Sequence, residues 1–374
     1  MKTVIISLYE SFPPKFGTAT ITFNMARHLP GIKHLIQTVD NNSVKDIGNA
    51  TRVISFKLAS KRRLIKFFSL LKIYDRIVAK TEEIDPDFVI LEGGSWAVYQ
   101  MALLRKLRKK RVRAKIVYHV HNVEYELRKQ KENFLICVLT RFAEKKMLME
   151  SDLSFSVSDR DSDYFQNIYG IRPNVLPTSV DIEKFSKTDF RRVNEIRAKY
   201  GIEDNSILFI GSVGYKPNDE AIQLLIEEIM PEVINKIKNA RLIVLGGKVD
   251  SKQEYLINPG SVPHDDIPSF IQACDLCVAP IISGSGTRLK ILEYLACGKA
   301  VVSTSKGAEG IDLEKGKEIV ISNDLHDFSE KIVGLLKNDK ERNIIGLNGK
   351  EAINKKYSWK ANLEKFVETI QGIK

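Results

Sequence analysis

The stretch APIISGSGTRLKILEYLACGKAVVSTSKGAE, residues 279–309, decides which fold this chain adopts. Its pattern predicts a strand end, a Gly/Ser loop, an amphipathic helix, a Gly break and a second strand. The small side chains of the loop, residues 283–287, let backbone N–H groups approach a ligand closely. The N-terminus of the helix that follows favours anions. On spacing alone, a ligand-binding loop and a flexible turn before an ordinary core helix both stay open.

Charged side chains at the start of this helix suit a nucleoside diphosphate. Arg288 and Lys290 add positive charge within the first turn. Glu293 follows Lys290 by three residues, so the two lie on one helix face. A carboxylate placed there can accept hydrogen bonds from both hydroxyls of a ribose, while the loop and the cations hold a diphosphate. The candidate loop residues are Gly284, Ser285, Gly286 and Thr287.

Length and composition narrow the class of protein. A chain of 374 residues predicts two domains. A hydrophobic content of 43% and a charged content of 28% are typical of a soluble globular protein. No stretch approaches 18 uninterrupted apolar residues, so the sequence predicts no transmembrane helix. The first residues, MKTVIISLYESFPP, predict a buried strand rather than a signal peptide, and we therefore expect a cytoplasmic location.

The formal net charge of +11 is unevenly distributed. Residues 1–182 hold 30 Lys or Arg and 19 Asp or Glu, whereas residues 183–374 hold 28 of each. The whole excess belongs to the N-terminal half, which predicts that this half meets an acidic partner. Nucleic acid, an anionic membrane surface and an anionic substrate are the candidates.

Two basic segments carry much of this excess. Residues 57–80 read as a long helix with apolar side chains on one side and basic side chains on the other, a pattern that suits an anionic membrane or a solvated helix. In residues 105–115, RKLRKKRVRAK, eight of eleven side chains are basic. This run lacks the interleaved aromatic residues of a nucleic-acid stacking surface. Membrane headgroups, an anionic acceptor and a solvated surface remain open.

Two motifs raise the question of a metal site. Cys274 and Cys277 have C-x-x-C spacing, but no second Cys or His pair accompanies them, so small buried thiols are favoured. Asp159, Asp161 and Asp163 alternate after a strand. Acidic residues there more naturally cap a helix and occupy its first turn. The sequence therefore predicts no metal.

Candidate site residues of the N-terminal half follow two predicted strands. Gly17 and Thr18 lie in the loop between a strand at residues 3–9 and a helix at residues 19–29, where α/β proteins bind ligands. They are candidates for substrate binding, and a plain connection is the alternative. A second strand starts at residue 116, and polar side chains gather at its carboxyl end. These are His119, His121, Asn122 and Glu124.

A second series of strands and helices begins after a charged connection at residues 186–201. A strand at residues 206–213 leads into a loop in which Lys216 can reach a phosphate. A helix at residues 220–229 and a strand at residues 240–247 follow, and residues 258–268 are predicted as a loop. The last predicted element is an amphipathic helix over residues 358–373.

Several segments together carry a family resemblance. They are FIGS (209–212) with Pro217-Asn218, GSGTRLKILE (284–293), ACGKAVVST (296–304) with GAEG (307–310), HNVE (121–124), and Val180-Asp181 with Phe185. With these segments the chain resembles the GT-B fold glycosyltransferases of family 4, the retaining class that uses nucleotide-sugar donors. The resemblance covers essentially the whole length.

The resemblance implies an α/β architecture of two Rossmann-like domains facing each other across a cleft. Residues 1–182, with a helix at 358–374 crossing back, would form the acceptor domain, and residues 183–357 the donor domain. Glu293 matches the ribose-binding Glu of the family's E-x7-E motif, whose first position is here Ser285. Gly17-Thr18 stands where the family has Gly-Gly, and Thr178-Ser179 where it commonly has Asn-Gly. The family implies no metal.

The function implied is a hexosyltransferase-type transfer of sugar from a nucleotide-diphosphate sugar to an acceptor, with retention of anomeric configuration. The acceptor would be lipid-linked or a growing glycan, and the enzyme cytoplasmic or peripheral at the inner face of the membrane. His121, Asn122 and Glu124 would form the catalytic group. A nonhydrolysing sugar-nucleotide epimerase of similar architecture is one alternative. A basic nucleic-acid-binding protein and a degenerate GT-B scaffold are the others.

Overall fold

The chain forms two compact units. The computed structural model describes residues 1–14, 17–58, 63–93, 96–129, 132–284 and 286–372, leaving aside the side chains of residues 63–67. Unit 1 comprises Met1–Thr178 with Asn362–Lys374, and unit 2 comprises Ser179–Ala361. These boundaries lie four residues from those expected at 182 and 358. Within the described residues, no helix combines the length and apolar character needed to span a membrane.

Unit 1 is built on an eight-stranded sheet. All neighbouring strands pair in parallel except β3, which is antiparallel to β4. The spatial order is β3-β4-β2-β1-β5-β6-β7-β8. The central strands are continuous apolar runs because a parallel sheet is covered on both faces. The strands are β1 Lys2–Ser7, β2 Ile32–Val39, β3 Ser43–Asp46, β4 Thr51–Lys57, β5 Phe88–Glu92, β6 Lys115–Val120, β7 Leu153–Ser156 and β8 Asn174–Val175.

Helices connect and cover the strands of unit 1. They are α1 Gly17–His28, α2 Arg63–Ile84, α3 Ala97–Lys109, α4 Glu124–Lys129, α5 Phe134–Glu150 and α6 Asp159–Tyr169. The α6 helix begins at Asp159, and Ser158 caps it by accepting a hydrogen bond from the backbone N–H of Asp161. The Asp159 and Asp163 carboxylates pair with Arg172.

The basic helix predicted at residues 57–80 is displaced along the chain. β4 runs through Lys57, residues 59–62 lie outside the description, and α2 extends to Ile84. Leu70, Ile73 and Tyr74 of α2 are buried, but Phe68, expected on the apolar side, is exposed. The buried face is therefore rotated from the one that hydrophobic spacing alone indicated.

Unit 2 is built on a six-stranded sheet, all parallel, in the order β11-β10-β9-β12-β13-β14. Its strands are β9 Ser206–Ile210, β10 Arg241–Leu245, β11 Leu256–Gly260, β12 Leu276–Ala279, β13 Val301–Ser303 and β14 Val320–Ile321. All four cysteines of the chain are buried and unbridged. Burial raises the pKa of the Cys274 thiol to about 12, as it does for an inert core thiol.

The helices of unit 2 lie between its strands, and the last helix runs into unit 1. They are α7 Ile182–Ser186, α8 Phe190–Tyr200, α9 Lys216–Leu224, α10 Met230–Lys236, α11 Ile267–Ala273, α12 Leu289–Ala296, α13 Leu325–Lys337, α14 Asp339–Lys356 and α15 Trp359–Gln371. A π-helical turn at Leu225–Ile229 joins α9 to α10, and a 3-10 turn at His264–Asp266 precedes α11.

Candidate functional site

The loop before α12 is closed by one arginine side chain. Gly284 and Gly286 have φ values of 86° and 83°, a region that favours glycine. Arg288 donates from Nη2 to the Ser283 carbonyl at 3.2 Å and from Nη1 to the Gly286 carbonyl. Thr287 has a buried Oγ1 that finds no hydrogen-bond partner within the part of the chain that the structure describes. Ser285, the remaining predicted loop residue, lies outside the described residues.

Lys290 joins α12 to the start of α9. Its Nζ donates to Asn218 Oδ1 at 2.9 Å and lies 4.0 Å from the centroid of the Phe209 ring. Burial, and then the charge of Arg288, lower the pKa of Lys290 to about 7. An anion that binds beside this amine would raise its pKa again and favour the charged form.

Glu293 lies on the same face of α12, one turn further on. The side chain is half-buried, and burial raises its pKa to about 7 against the opposing charges of Lys184 and Lys290. Lys184 is itself held by Asp265 Oδ1 at 2.7 Å and His264 Nδ1 at 2.8 Å. The charges of both lysines therefore act on the Glu293 carboxylate, although neither forms an ion pair with it.

Lys216 is the first residue of α9 and is exposed. Its Nζ lies 3.4 Å from Glu220 Oε1, and the other oxygen of Glu220 accepts from the Ser283 hydroxyl. A Cβ at Gly284 would stand 3.0 Å from Pro217 Cγ. The predicted phosphate residue and the loop before α12 are thus brought together through one acidic side chain and one close contact.

The carboxyl ends of β9 and β10 also approach each other closely. Gly246 has a φ of 115°, and a Cβ there would stand 2.3 Å from the Gly211 carbonyl oxygen. At Gly247 a Cβ would meet the Val213 side chain at 2.7 Å. Glycine at 246 lets the two backbones approach each other this closely, and glycine at 247 makes room for the Val213 side chain.

In unit 1, a carboxylate and two imidazoles form a buried group. Glu92 ends β5 and pairs in register with His119 of β6. His121 Nε2 lies 2.6 Å from Glu92 Oε2, and His119 Nδ1 lies 3.3 Å from both Glu92 oxygens. All three side chains are buried. The register of β5 and β6 therefore places the Glu92 carboxylate and both imidazoles close together.

Two hydroxyl groups in a row lie beside the Glu92 carboxylate. Thr22 of α1 donates from Oγ1 to Glu92 Oε2 at 3.0 Å, and Tyr9 Oη lies 2.7 Å from the same hydroxyl. Burial acts to raise the pKa of Glu92, but the two histidines outweigh it and hold that pKa well below its usual range. Burial lowers the pKa of His121.

The contact of 2.6 Å between His121 Nε2 and Glu92 Oε2 has the geometry of a hydrogen bond that the imidazole N–H donates to a carboxylate. In a neutral imidazole the other ring nitrogen, His121 Nδ1, is then an acceptor, and it is buried without a hydrogen-bond partner among the described residues. A ligand hydroxyl can donate to such a nitrogen.

Among the described residues, the group that best resembles a metal centre consists of Glu92, His119 and His121. One ligand atom from each of Glu92, His119 and His121 lies within 4.8 Å of the others. Two imidazoles and a carboxylate are ligands that Zn²⁺ accepts. Here, however, Glu92 already accepts from Thr22 and His121 at hydrogen-bond distances. The arrangement fits a hydrogen-bonded group better than a coordination shell.

Asn122 and Glu124 occupy the turn and the helix start after β6. Asn122 is half-buried, with a buried Oδ1 to which none of the described residues donates a hydrogen bond. Glu124 Oε2 accepts from the backbone N–H of Ala97 at 2.7 Å, the first residue of α3. Burial raises the pKa of Glu124 to about 7. Its carboxylate therefore caps α3, a contact that anchors the turn.

Glu144 of α5 supports the same turn from below. Its carboxylate accepts from the backbone N–H groups of Glu124 at 2.7 Å and Tyr125 at 3.2 Å, and from the Tyr169 hydroxyl at 2.8 Å. Burial raises the pKa of Glu144 to about 8. The turn that carries His121 and Asn122 is held by two buried carboxyl groups.

Gly17 and Thr18 lie in the first turn of α1 rather than in a preceding loop. Gly17 is exposed and Thr18 half-buried, and residues 15–16 before them lie outside the description. The helix begins two residues earlier than predicted. Ala19 and Thr22 face inward from it, so α1 contributes Thr22 rather than its glycine to the buried group.

Two partners of the predicted site residues were not identified from the sequence. Glu92 was not singled out, although it ends a strand next to the strand of His119. Asn218 belongs to one of the family-like segments, but its contact with Lys290, across 72 residues of sequence, is not apparent from the sequence. For Glu92 the usable signal is its position at the carboxyl end of the strand beside that of His119 and His121.

Part of unit 2 matches a known protein family. Residues 204–338 match the family model described as glycosyl transferases group 1. A GDP-mannose-dependent monoacylated alpha-(1-6)-phosphatidylinositol monomannoside mannosyltransferase of Corynebacterium glutamicum is 23% identical over 246 residues, 61% of this chain and 64% of the relative. A protein of the cps region of Klebsiella pneumoniae is 25% identical over 174 residues, 43% and 45%. The chain spans less than two thirds of the length of both.

Solved structures are similar over the whole chain. Sucrose-phosphate synthase from Thermosynechococcus elongatus has a TM-score of 0.82 at 13% identity, covering 99% of this chain and 98% of that one. Anabaena HepE in complex with UDP and glucose has a TM-score of 0.77 at 13% identity, covering 100% of both. The predicted fold is confirmed: the two parallel-sheet units form a GT-B fold. The family match and the named relatives support a glycosyltransferase.

Proposed function

We propose that this protein transfers a hexose from a nucleotide-diphosphate sugar to an acceptor, with retention of anomeric configuration. The observation that carries the proposal is that Lys290 and Glu293 lie on one face of α12, the helix that follows a glycine loop. Support comes from the family match over the same residues and from the names of the relatives. The mannosyltransferase of Corynebacterium glutamicum uses GDP-mannose, and HepE is solved with UDP and glucose.

The donor would be held by its diphosphate and its ribose. Backbone N–H groups of Gly284, Ser285, Gly286 and Thr287, with Arg288, Lys290 and Lys216, would neutralise the diphosphate. An arriving diphosphate raises the pKa of Lys290 again, so the amine becomes charged when it is needed. Glu293 would accept hydrogen bonds from the two ribose hydroxyls.

The reaction requires stabilisation of a diphosphate leaving group while an oxocarbenium-like centre forms. Fixed N–H dipoles and cations provide this without reorganisation. The part of the chain that the structure describes shows no pair of carboxylates set for double displacement, since Glu92, Glu124 and Glu144 are each engaged by protein donors. Front-face attack assisted by the donor phosphate is the pathway that we propose.

His121, Asn122 and Glu124 are assigned to the sugar and acceptor side. His121 Nδ1 would accept from a sugar or acceptor hydroxyl, Asn122 would position it, and Glu124 would hold the turn. Gly17 and Thr18 would border the acceptor. The acceptor is proposed to be a lipid-linked or growing glycan, with the basic segments 57–80 and 105–115 meeting an anionic membrane surface from the cytoplasmic side. We expect no metal requirement.

The test of the donor site is a pair of variants in unit 2. Glu293→Ala should weaken binding of the preferred nucleoside diphosphate by tenfold or more, because hydrogen bonds to a charged group contribute about 1.5–3 kcal/mol each. Glu314→Ala removes an exposed carboxylate of the same unit and should leave affinity unchanged. A thermal-shift screen of nucleotide sugars finds the ligand, and calorimetry gives the affinities. Unchanged affinity in Glu293→Ala would exclude the ribose role.

Product analysis then identifies the reaction. A transferase consumes the nucleotide sugar only when an acceptor is present, and it releases the nucleoside diphosphate. An epimerase would return an altered nucleotide sugar without any acceptor. Nuclear magnetic resonance of the anomeric proton of the product tests retention, and an inverted product would contradict front-face attack.

A further inference from the structure

The helix α5 of unit 1 exposes an apolar face. Six large apolar side chains of this helix are between 42% and 84% exposed. We call them the α5 stripe: Phe134, Leu135, Val138, Leu139, Phe142 and Met149. Their spacing places them on one side of a helix, over about 22 Å of its length. Large contiguous apolar patches on a folded protein mark a surface that meets a partner.

The opposite side of α5 is the side that packs. Thr140, Ala143, Glu144 and Met147 are buried, and Glu144 binds the turn after β6. Trp96 donates from Nε1 to Thr140 Oγ1 at 2.8 Å. The helix is therefore fully seated in unit 1, and its exposed apolar face is additional to the core.

Cations border the α5 stripe. Arg141, Lys145 and Lys146 lie at its edges by helical spacing. The acids of the helix are withdrawn from it: Glu144 is buried, and Glu150 is engaged by Lys146 at 3.5 Å and Arg105 at 4.0 Å. The face thus combines apolar side chains with net positive charge.

The basic segment 105–115 adjoins one end of the stripe. Trp96 contacts Thr140 at the start of α3, and Arg108 contacts the Glu150 carbonyl and Asp152 near its end, so α3 and α5 run side by side in the same direction. The segment therefore follows at the Met149 end. Its exposed cations without an ion pair among the described residues are Lys109, Lys110, Arg111 and Arg113.

We propose that the α5 stripe inserts into the headgroup region of an anionic lipid bilayer while residues 105–115 lie on the anionic headgroups. Apolar area and basic charge on one surface are the two contributions that hold a peripheral helix at such an interface. A second copy of the chain is a poorer occupant, because a symmetric contact would bring the two sets of cations together. The proposal deepens the membrane part of the proposed function and does not depend on donor chemistry.

The test is vesicle flotation of the full chain. Phosphatidylglycerol vesicles should carry the wild type, phosphatidylcholine vesicles should carry much less, and salt should reduce the difference. The triple variant Phe134→Ser, Leu139→Ser, Phe142→Ser should lose at least about tenfold in partitioning, since each side chain loses its apolar contact with the bilayer. Leu347→Ser, a 63% exposed leucine of unit 2, is the matched control and should float as the wild type does.

Three outcomes would overturn the proposal. The first is failure of the wild type to float with anionic vesicles, and the second is flotation of the triple variant equal to that of the wild type. Alternatively, analytical ultracentrifugation could show a dimer that the triple variant converts to monomer, which would assign the stripe to a second copy. Thermal shift with the nucleoside diphosphate, run on the same samples, separates these results from failure of the donor site. A protein that floats without binding any nucleotide contradicts the proposed function alone.

Discussion

Glu92 is the residue on which the buried hydrogen bonds of unit 1 converge. Glu92→Gln removes the negative charge and turns one terminal oxygen into an NH₂ donor, so the bonds that Oε2 accepts from Thr22 and His121 are no longer charge-assisted. We expect His121 to lose its fixed Nε2–H tautomer and turnover to fall about tenfold or more, with donor affinity unchanged. Histidine ¹⁵N resonance reports the tautomer, and separate kcat and donor Kd measurements report the rest.

The control for this prediction is Thr22→Val. It removes one hydrogen bond to Glu92 and leaves the bond to His121 in place. We expect its tautomer to match the wild type. A Glu92→Gln enzyme with the original tautomer and turnover would show that Glu92 has only a packing role.

Lys290 should make both stability and donor binding depend on pH. Its pKa of about 7 in the folded protein lies below the unfolded value of about 10.4, so the unfolded chain takes up the proton first as pH falls. The free energy of unfolding should therefore decrease from about pH 10 to about pH 7. Lys290→Met should remove this slope, whereas Lys317→Met, at an exposed ion pair, should keep it. Denaturant titrations at several pH values measure it.

The same amine should take up a proton when a nucleoside diphosphate binds at about pH 8. Calorimetry in two buffers of different ionisation enthalpy detects that uptake. Lys290→Met should abolish it and weaken binding about tenfold or more, by loss of a charge-assisted hydrogen bond. Equal heats in both buffers for the wild type would remove Lys290 from the diphosphate site.

Sequence reasoning at this scale found residues whose neighbours are close along the chain. Lys290 and Glu293 share a helix face by spacing, and the structure places both there. The partners Asn218 and Glu92 lie 72 and 27 or more residues from the groups they bind. Such pairs are set by strand order and register, which a single sequence does not reveal.

At the element scale, the approach of the β9 and β10 ends depends on Gly246. Gly246→Ala would force a Cβ to within 2.3 Å of the Gly211 carbonyl at a φ of 115°, so the backbone must move. We expect a loss of about 2 kcal/mol or more in unfolding free energy and weaker donor binding. Denaturant titration of unit 2 measures the first, and calorimetry the second.

Gly260→Ala is the control for backbone conformation alone. Its φ is 80°, but a Cβ there would have no neighbour within 4 Å. We expect about 1 kcal/mol of destabilisation and unchanged donor binding. If both variants behaved alike, strain at positive φ and not the close approach would explain the glycine at 246.

Elements with strong periodicity were predictable, and those formed by tertiary pairing were not. The α12 segment and the central strands follow from hydrophobic spacing, which their burial reproduces. By contrast, β11 includes Asn258, Pro259 and Gly260, which local preference assigns to a loop. It is a strand because the edge of β10 is available to pair with it. The short β3 pairs with β4 for the same reason.

The whole molecule was predictable as two α/β domains from length, alternating elements and uneven charge. The boundary between the two domains was less predictable, because the chain passes from one unit to the other at residue 178 and again at residue 361. The helix α15 begins in unit 2 and ends in unit 1, a connection that its amphipathic pattern alone does not define. The contacts within each unit determine which part of α15 belongs to which unit.

This division predicts two separable unfolding transitions. Phe366, in the part of α15 that belongs to unit 1, is buried, with its ring centroid 4.7 Å from that of Phe155. Phe366→Ala should cost about 3–5 kcal/mol and lower the unit 1 transition by about 10 °C. Phe328→Ala, at an equally buried site of unit 2, should lower the other transition instead. Scanning calorimetry with saturating nucleoside diphosphate assigns the transitions, because the ligand should raise the one of unit 2. If each variant lowered both transitions equally, the two units would unfold as one cooperative body.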